Sequence, residues 1–510
     1  MPQTHPDRLA TIATLFGMNP AAVERCRVLE LGCANGGNLI AMAEQMPGSH
    51  FVGIDLSARQ IAEGQALVAE LGLSNITLRQ MSILDVTSDL GEFDYIICHG
   101  VYSWVPRDVQ SKILSVCKQN LAPGGVAFVS YNIYPGWHAR GMVRDMMQFH
   151  AQPISDPETC TKRARELLAW LIASHPDSQS AYSKLLKEEQ QRIVDCRDSY
   201  VFHEHLEEVN EPIYFHEFAD RASRQGLEYL GDAEIITSLV EHYPPQVAAT
   251  LSKLGDDFIR REQYQDFLKN RMFRQSLLCH AIVNVSRELK PERVFSLNVA
   301  SCARTESSVV DLRSNKMEEF RAPNGVGACT DHAISKSAML YLAEIWPQSS
   351  SFDTLQTVAR ARLVSDAVVV QEAADYARDT RMLAENLLHA FTADVLELHA
   401  FAPQFVIEPR ELPKATRLAR YQAEKGHRIF SARHKYVELD PLSSVLLRYL
   451  DGTRDRNELI ELLIRSVTEN ETLLERFGKR LTEPAEIRAV LTQELDENLR
   501  RLARVALLVA

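Results

Sequence analysis

The stretch VLELGCANGGNL, from Val28 to Leu39, passes from an apolar run into a glycine-rich bend and then into a segment of helix-forming composition. This order predicts a strand, a loop and a helix. A second apolar run, HFVGIDLS, follows the first and contains Asp55 near its end. In α/β folds that bind nucleotides, an acid after the second strand, about 20 residues past the first glycine, holds the ribose hydroxyls. The two stretches together predict a nucleoside site.

The glycine pattern argues against a dinucleotide. Dinucleotide folds use G-x-G-x-x-G so that the backbone can approach a pyrophosphate, whereas the corresponding residues here are Gly32, Ala34 and Gly37. Glu30 lies at the strand end just before the loop, where its carboxylate would repel a pyrophosphate. S-adenosylmethionine has no phosphate and carries an ammonium and a sulfonium, so opposite charge favours its binding at short range.

A glycine loop by itself is also compatible with a tight strand-to-helix turn that binds no ligand. The order of the downstream segments favours the ligand-binding interpretation. NITLRQMSILD predicts a third strand, FDYIICHGVYSWV predicts a fourth, and LAPGGVAFVSYNIYPGW predicts a helix end, a turn and a fifth strand. Five alternating units predict a doubly wound parallel α/β sheet with its ligand at the carboxyl ends of the strands.

Length and charge limit the classes of protein that fit. A chain of 510 residues predicts two to four domains. Its formal net charge of -12 weighs against binding to phosphate backbones, which needs clustered positive charge, so we expect no nucleic-acid partner.

Cysteine usage and the terminal segment bear on the compartment. Nine cysteines lie far apart without a CxxC pair, which is typical of a cytoplasmic protein with reduced thiols. MPQTHPDRLATIATLFG lacks the features of a signal peptide, and no apolar run approaches the roughly 20 residues that span a bilayer. We therefore expect a cytoplasmic protein with no membrane span.

Taken in order, VLELGCANGGNL, VGIDLS, FDYIICHGVYSWVP and LAPGGVAFVSYNIYPGW resemble the class I S-adenosylmethionine-dependent methyltransferases. Two further segments, from Phe202 to Leu230 and from Arg271 to His280, resemble the methyltransferase regulatory domain of a bacterial subgroup. That subgroup includes protein lysine methyltransferases acting on outer-membrane proteins, and the similarity continues weakly into YLDGTRDRNELIELL. The resemblance implies a protein or peptide substrate that bears lysine. It also implies that relatives carry extra residues before THPDRLA, so we expect part of the donor lid to be missing here.

The segment EFADRASRQGLEYLGDAEI has the helix, glycine and strand pattern of the sixth unit, yet it arrives some 80 residues after the fifth strand. We therefore expect a Rossmann-like donor-binding domain at 1–138 and 198–244, interrupted by a helical insertion at 139–197. Two segments with apolar residues at helical spacing, ETCTKRARELLAWLIASH and SAYSKLLKEEQQRIVDC, predict two helices in this insertion. The pair could cover the site or form a dimer contact, and the resemblance favours a homodimer. A mainly helical middle domain at 245–400 and a winged-helix-like domain at 401–510 follow.

The last region contains SSVLLRYLDGTRDRNELIELLIRSV, which predicts a helix, a tight turn at Asp451 and Gly452, and a second helix. Thr453 and Asp455 are both candidates for the cap of that second helix. Winged-helix modules often bind DNA, but the acidic surroundings favour a docking surface for a peptide or protein, or a purely structural role.

The family pattern implies a set of donor contacts. The methionine part would lie near the strand end and the loop, Asp55 would accept both ribose hydroxyls, Leu56 would pack beside adenine, and His99 is a further candidate contact. Ser82 lies where many relatives have an acid that contacts the adenine amino group. Ile83 lies where relatives contact the adenine ring through a backbone amide, and this contact does not depend on the side chain. The methionine-side residues are Glu30, Gly32, Asn35, Gly36 and Asn38.

Methyl transfer from a sulfonium is an in-line displacement that mainly requires alignment and exclusion of water. A lysine acceptor with a pKa of about 10.4 must lose its proton, and burial among apolar groups promotes that loss, so aromatic walls are expected. Tyr102, His99 and Tyr131 are the candidate catalytic residues, and packing is the alternative role for each. Other candidate pocket residues are Trp104, Asn132, Tyr134 and Trp137.

The histidine-rich segment FHEHLEEVNEPIYFHEF suggests a metal site through His203, His205 and His216. The H-E-x-x-H signature fails because Asp220 occupies the place of its second histidine. We therefore expect no metal, and an acidic loop here could attract a cationic substrate.

Three functions stay open at this stage. The first is methylation of protein lysine amines, and the second is methylation of a small molecule or lipid intermediate with the same donor. The third is a regulatory protein that binds the donor without catalysis. The D/N-P-P-Y/F signature of enzymes that methylate exocyclic adenine amines or glutamine amides does not occur in the sequence.

Overall fold

A seven-stranded sheet organises the first half of the chain. The computed structural model describes residues 1–152, 156–254, 257–307, 309–312, 314–365, 373–469, 472, 475–476, 479–481 and 483–510. The strands of the sheet are β1 Arg27–Leu31, β2 His50–Asp55, β3 Ile76–Gln80, β4 Phe93–Cys98, β5 Leu121–Asn132, β6 Leu227–Asp232 and β7 Phe273–His280. Their order is β3-β2-β1-β4-β5-β7-β6. The first five are parallel, and β7 runs antiparallel to both β5 and β6.

Helices cover both faces of this sheet, which confirms the doubly wound prediction. One face packs against α1 Pro6–Leu15, α2 Gly37–Gln45 and α3 Ala58–Glu70. The other face packs against α4 Arg107–Gln119 and α9 Phe215–Arg224. Because parallel strands are buried on both faces, they are near-continuous apolar runs in the sequence.

Four helices separate β5 from α9, where the sequence predicted a two-helix insertion. They are α5 Trp137–Ala151, α6 Pro157–Ser174, α7 Ala181–Ile193 and α8 Asp198–Leu206. They share a small core of their own, formed by Val143, Met147, Leu168, Leu186 and neighbouring residues. The spacing of these apolar residues gives each helix one buried stripe.

Strand β7 lies outside the range 198–244 at which the sequence ended the donor-binding domain. The chain leaves β6, forms α10 Pro245–Leu254 and α11 Phe258–Lys269, and returns to place β7 between β5 and β6. The buried side chain of Arg274 on β7 contacts Glu262 and Asp266 on α11 at 2.9 and 2.8 Å. This buried charge network holds the returning segment in the sheet.

The middle region continues the apolar core of the donor-binding sheet. Strand β8 Asn298–Ala300 pairs with β11 Ser350–Ser351 and β12 Glu397–His399, and β9 Glu318–Arg321 pairs with β10 Gly327–Thr330. Three helices complete the region, namely α12 Ala333–Ile345, α13 Phe352–Ser365 and α14 Ala373–Thr392. Helix α1 joins it to the sheet, because Asp7 and Thr11 accept backbone N–H groups of Phe401 and Ala400.

The C-terminal region has a separate core. Its helices are α15 Arg417–Lys425, α16 Pro441–Arg448, α17 Arg456–Thr468 and α18 Pro484–Arg504, and its paired strands are β13 Arg428–Phe430 with β14 Tyr436–Glu438 and β15 Glu475–Arg476 with β16 Lys479–Arg480. Of the two predicted caps, Asp455 begins α17 through a capping box with Glu458. Gly452 takes the positive φ that the preceding turn requires.

None of the helices within the described residues combines the length and the apolar character that crossing a bilayer needs. All nine cysteines are free thiols.

Candidate active site

The loop after β1 is held against the end of β2. The amides of Gly32 and Cys33 donate to the carbonyl of Ile54 at 2.9 and 3.0 Å, and the amide of Ala34 donates to the Asp55 carboxylate at 2.8 Å. Ala34 has a φ of 51°, a left-handed conformation that costs a non-glycine residue roughly 1–2 kcal/mol. The bond to Asp55 maintains this conformation.

Asp55 retains acceptor capacity for a ligand. One carboxylate oxygen accepts from Ala34 and the other accepts from the amide of Ser57 at 2.8 Å. An ionised carboxylate offers about four lone-pair sites. The remaining sites suit a pair of hydroxyls, as expected for a ribose.

Two glycines that sequence reasoning missed allow the loop to pack this closely. A Cβ on Gly64 of α3 would lie 2.2 Å from the carbonyl oxygen of Asn35, and one on Gly53 of β2 would lie 2.8 Å from the sulfur of Cys33. Glycine is unfavourable inside a helix, so its occurrence in α3 was the available signal of a close backbone approach.

Glu30 is a buried carboxylate with spare hydrogen-bonding capacity. Its side chain is 5% exposed, its Oε1 accepts from the Asn38 amide at 2.9 Å, and its Oε2 has no partner among the described residues. Burial raises the pKa of Glu30 to about 7, although the Asn38 hydrogen bond opposes that shift. A cationic ligand group would satisfy the second oxygen and favour the ionised form.

The residues expected at the adenine end lie beyond β2 and β3. Leu56 is 72% exposed, so an apolar ring could cover it. Ser82 begins a short 3-10 helix by accepting the amide of Leu84 at 3.2 Å, and Ile83 is half-buried. The Ser82 hydroxyl is therefore engaged with its own backbone.

His99 follows β4 and contacts β5. Its Nδ1 lies 3.0 Å from the Ser130 hydroxyl, which also accepts from the amide of Gly100 at 2.9 Å. If the hydroxyl proton points to Nδ1, Nε2 carries the ring proton and can donate. Burial lowers the pKa of His99 to about 4, so the imidazole is neutral near pH 7.

Tyr102 and Tyr131, two of the candidate catalytic residues, are buried in the core of the donor-binding domain. Both are 1% exposed, and both pack on Phe218 of α9. The Tyr131 hydroxyl lies 2.8 Å from the hydroxyl of Ser276, and the Tyr102 hydroxyl is 3.5 Å from Arg221. Tyr131 lies on β5 and Tyr102 on the short 3-10 helix after β4, and α9 buries the face to which both rings point.

Aromatic residues do gather beyond the carboxyl ends of β4 and β5. Trp104 and Trp137 meet edge to face with their centroids 6.2 Å apart, and Tyr134 lies 5.4 Å from Tyr214. Trp104 and Tyr134 are half-buried, whereas Trp137 is 2% exposed. His203 covers Trp104 at 4.3 Å.

The crossing segment, residues 207–214 between α8 and α9, passes over the same edge of the sheet. Ile213 pairs with Ile133, and the amide of Glu211 donates to the carbonyl of Ser103 at 2.8 Å. Asn132 at the end of β5 donates from its side-chain amide to Asn210 at 3.2 Å. Sequence reasoning missed Asn210 and Tyr214 because their approach to β5 depends on the path of the chain through the insertion.

The three histidines considered for a metal site make separate contacts. His203 packs on Trp104, buried His205 lies 3.3 Å from Glu189, and exposed His216 contacts Gln263 at 3.0 Å. Within the described part of the chain, no group of histidine, cysteine and acidic side chains has the arrangement of a metal site.

The fold and the donor loop define the class of protein. The sheet has the strand order of a class I S-adenosylmethionine-dependent methyltransferase. Two site features agree with that class: a glycine loop beside Asp55 that departs from the pyrophosphate-binding pattern, and a buried carboxylate suited to a cation. Family models agree, matching a methyltransferase domain at 28–125, a predicted methyltransferase regulatory domain at 197–280 and a PKMT C-terminal winged helix domain at 411–507.

Relatives match along the whole chain. The uncharacterized protein RP789 of Rickettsia prowazekii (strain Madrid E) is 34% identical over 99% of this chain and 91% of its own length. The structure of PKMT2 from Rickettsia typhi in complex with AdoHcy is 30% identical, with a TM-score of 0.87 over 100% of this chain and 99% of that chain. A second structure of PKMT2 from Rickettsia typhi is 31% identical, with a TM-score of 0.85 over 100% of this chain and 99% of that chain.

The chain therefore belongs to the methyltransferase family of PKMT2 and RP789, with S-adenosylmethionine as its methyl donor.

Proposed function

We propose that this enzyme transfers methyl groups to the side-chain amines of lysine residues in proteins. The observation that carries the proposal is the full-length likeness to PKMT2, where PKMT stands for protein lysine methyltransferase, including the winged-helix region that a catalytic domain alone would not need. The aromatic group at the carboxyl ends of β4 and β5 supports it, because an aliphatic lysine stem packs well on such rings.

We assign the donor contacts as the sequence predicted them. Glu30 and Asn38 hold the ammonium of the methionine part, Asp55 holds the ribose, and Leu56 and Ile83 flank the adenine. When bound, S-adenosylmethionine supplies an electrophilic methyl group on sulfur. Neutral His99 donates from Nε2 to the donor or acceptor and does not accept the lysine proton, since its pKa is about 4.

The acceptor amine must be neutral to attack. Burial of a lysine ammonium lowers its pKa by up to about 3–5 units, and Trp104, Tyr134 and Tyr214 provide the apolar wall for this. The backbone carbonyl of Asn132 accepts from Ile213 and its side-chain NH₂ donates to Asn210, which leaves the side-chain oxygen to accept from an incoming amine. Acidic Glu207, Glu208 and Glu211 on the crossing segment attract the protonated lysine before it enters.

The test is transfer of labelled methyl groups from S-adenosylmethionine into a cell lysate and into purified outer-membrane protein. Acid hydrolysis of the labelled protein should release methylated lysine. Label confined to small molecules would contradict the lysine proposal and leave the methyltransferase assignment intact.

A matched pair of variants locates the acceptor side. Trp104→Ala should lower the transfer rate at least about tenfold with donor affinity retained, because misplacement of the acceptor by about 1 Å costs up to about 10²-fold. Tyr102→Phe removes only a core hydroxyl and should change the rate less than twofold. A larger loss of transfer rate in Tyr102→Phe than in Trp104→Ala would instead assign a catalytic role to Tyr102.

We propose that the helical insertion is a homodimer surface. Large apolar side chains of α5 and α6 are exposed there, with Phe149 at 84%, Trp170 at 62% and Met142 at 38%. Contiguous exposed apolar residues mark interaction sites. Light scattering should give twice the chain mass for the native protein and a shift to monomer for Trp170→Glu, and a monomeric native protein would refute this.

We further propose a cytoplasmic protein that acts on protein and not on nucleic acid. Nine free thiols and a net charge of -12 support this. Fractionation should recover the enzyme with cytoplasmic markers, and added DNA or RNA should leave transfer unchanged.

A further inference from the structure

The C-terminal region docks directly on α2, the helix that follows the donor loop. The Glu44 carboxylate of α2 accepts the backbone amides of Arg417 and Leu418 at the start of α15, at 2.6 and 3.2 Å. At the next residue, the Gln45 side-chain amide donates to the carbonyl of Ser431 at 3.2 Å. These contacts bring the turn between β13 and β14 against the methionine side of the donor site.

His434 lies in that turn and reaches Asn38. Its side chain is 3% exposed, and its Nε2 lies 2.9 Å from Asn38 Oδ1. The Asn38 Nδ2 in turn donates to Glu30 Oε1 at 2.9 Å. The Thr4 hydroxyl and the Met1 amine contact the same Asn38 oxygen at longer distances of 3.3 and 3.1 Å.

This contact supports the same orientation of the Asn38 amide that the Met1 ammonium and the Glu30 carboxylate require. An imidazole N–H at Nε2 requires the amide oxygen to face His434, and the amide NH₂ must then face Glu30. The reversed amide would place its oxygen against the Glu30 carboxylate and its NH₂ against the His434 donor. Burial holds the pKa of His434 well below its usual range, so the ring is neutral, and the tautomer with its proton on Nε2 is the one that matches an amide oxygen at 2.9 Å.

The position of His434 carries energetic costs that packing alone does not explain. Its φ of 54° is left-handed, and strained backbone of this kind clusters at functional sites. Its Nδ1 is buried without a partner among the described residues, which is a further cost to stability.

We propose that His434 is a positioning residue of the donor site, through which the winged-helix region orients Asn38 and Glu30 toward the ammonium of S-adenosylmethionine. The proposal rests on the assignment of Glu30 as the ammonium contact. The methyltransferase domain therefore does not complete its own donor site, and the C-terminal region is needed for full donor affinity.

The test uses the full-length enzyme and S-adenosylhomocysteine as the probe, with Kd measured by calorimetry. His434→Ala should raise Kd about tenfold and raise the KM for the donor equally, while kcat at saturating donor changes less than twofold. His434→Gln retains an N–H donor and should restore most of the affinity. Gln45→Ala removes a contact between the same turn and α2 without touching Asn38, and should leave Kd unchanged.

Three results would overturn the proposal. These are an unchanged Kd in His434→Ala, no recovery in His434→Gln although its melting temperature matches the native enzyme, and an equal loss in Gln45→Ala. The last result would indicate that docking alone matters. Glu30→Gln separates the premise from the proposal, since an unchanged Kd in that variant shows that the ammonium binds elsewhere.

Discussion

At the residue scale, Glu30 makes donor binding depend on pH. Its pKa is about 7 in the free enzyme, and only the carboxylate form attracts the donor ammonium. The ionised fraction of a carboxyl with this pKa falls about tenfold between pH 8 and pH 6. Donor affinity should therefore weaken about tenfold over the same pH range. Calorimetry with S-adenosylhomocysteine measures this, and Glu30→Gln should bind more weakly with the pH dependence removed. The same pH slope in Glu30→Gln would assign the titration to another group.

At the scale of an element, the position of β7 depends on one buried cation. Arg274 is 0% exposed and contacts Glu262, Asp266 and the hydroxyl of Tyr229, and its guanidinium lies 3.8 Å from the centre of the Phe215 ring. Removing one member of a buried charge network costs about 3–5 kcal/mol, because its partners stay buried and unpaired.

Arg274→Met should therefore accelerate amide hydrogen exchange in β7 and α11 by at least about a hundredfold, given that about 1.4 kcal/mol is tenfold. Arg224→Met is the matched control, because its ion pair with Asp220 on α9 is exposed and such pairs contribute about 0–1 kcal/mol. Similar exchange in both variants would show that Arg274 does not hold β7.

At the scale of the whole molecule, His399 joins α1 to the middle and C-terminal regions. It contacts Asp7 at 2.7 Å and Glu397 at 3.2 Å, and Glu397 also pairs with Arg433 and Lys435. Burial alone would lower the pKa of His399, but Asp7 and Glu397 outweigh that effect and raise it to about 9.

Because the folded pKa lies above the unfolded value of 6.5, this stabilisation is complete below pH 6.5 and is lost as the pH rises through 9. At about 1.4 kcal/mol per pKa unit it amounts to about 3 kcal/mol. Unfolding monitored from pH 6 to pH 10 should show the decline in the native enzyme and a flatter profile in His399→Gln. Exposed His427→Gln should behave as the native protein does, and a decline that persists in His399→Gln would exclude His399 as its source.

The strand, loop and helix around the candidate donor site were predictable from the sequence, since their signals are local. Apolar runs, a glycine bend and an acid after the second strand lie within 28 residues, from Val28 to Asp55, and short-range sterics turn such patterns into strands, loops and helices. The prediction of a strand, a glycine loop and a helix between Val28 and Leu39 needed no knowledge of distant residues. Local pattern likewise limited the cap of α17 to Thr453 or Asp455, and the structure shows that Asp455 is the cap.

The directions of Tyr102 and Tyr131, the place of β7 and the contact of His434 were decided only by tertiary structure. The two tyrosines face inward because α9 covers that side of β5, and β7 enters the sheet because Arg274 finds acids on α11. His434 meets Asn38 across 396 positions of sequence. The sequence by itself thus determined the loop, the acid and the class of donor, whereas the packing of distant segments decided which side chains complete the site, because burial and charge pairing depend on neighbours that no local pattern specifies.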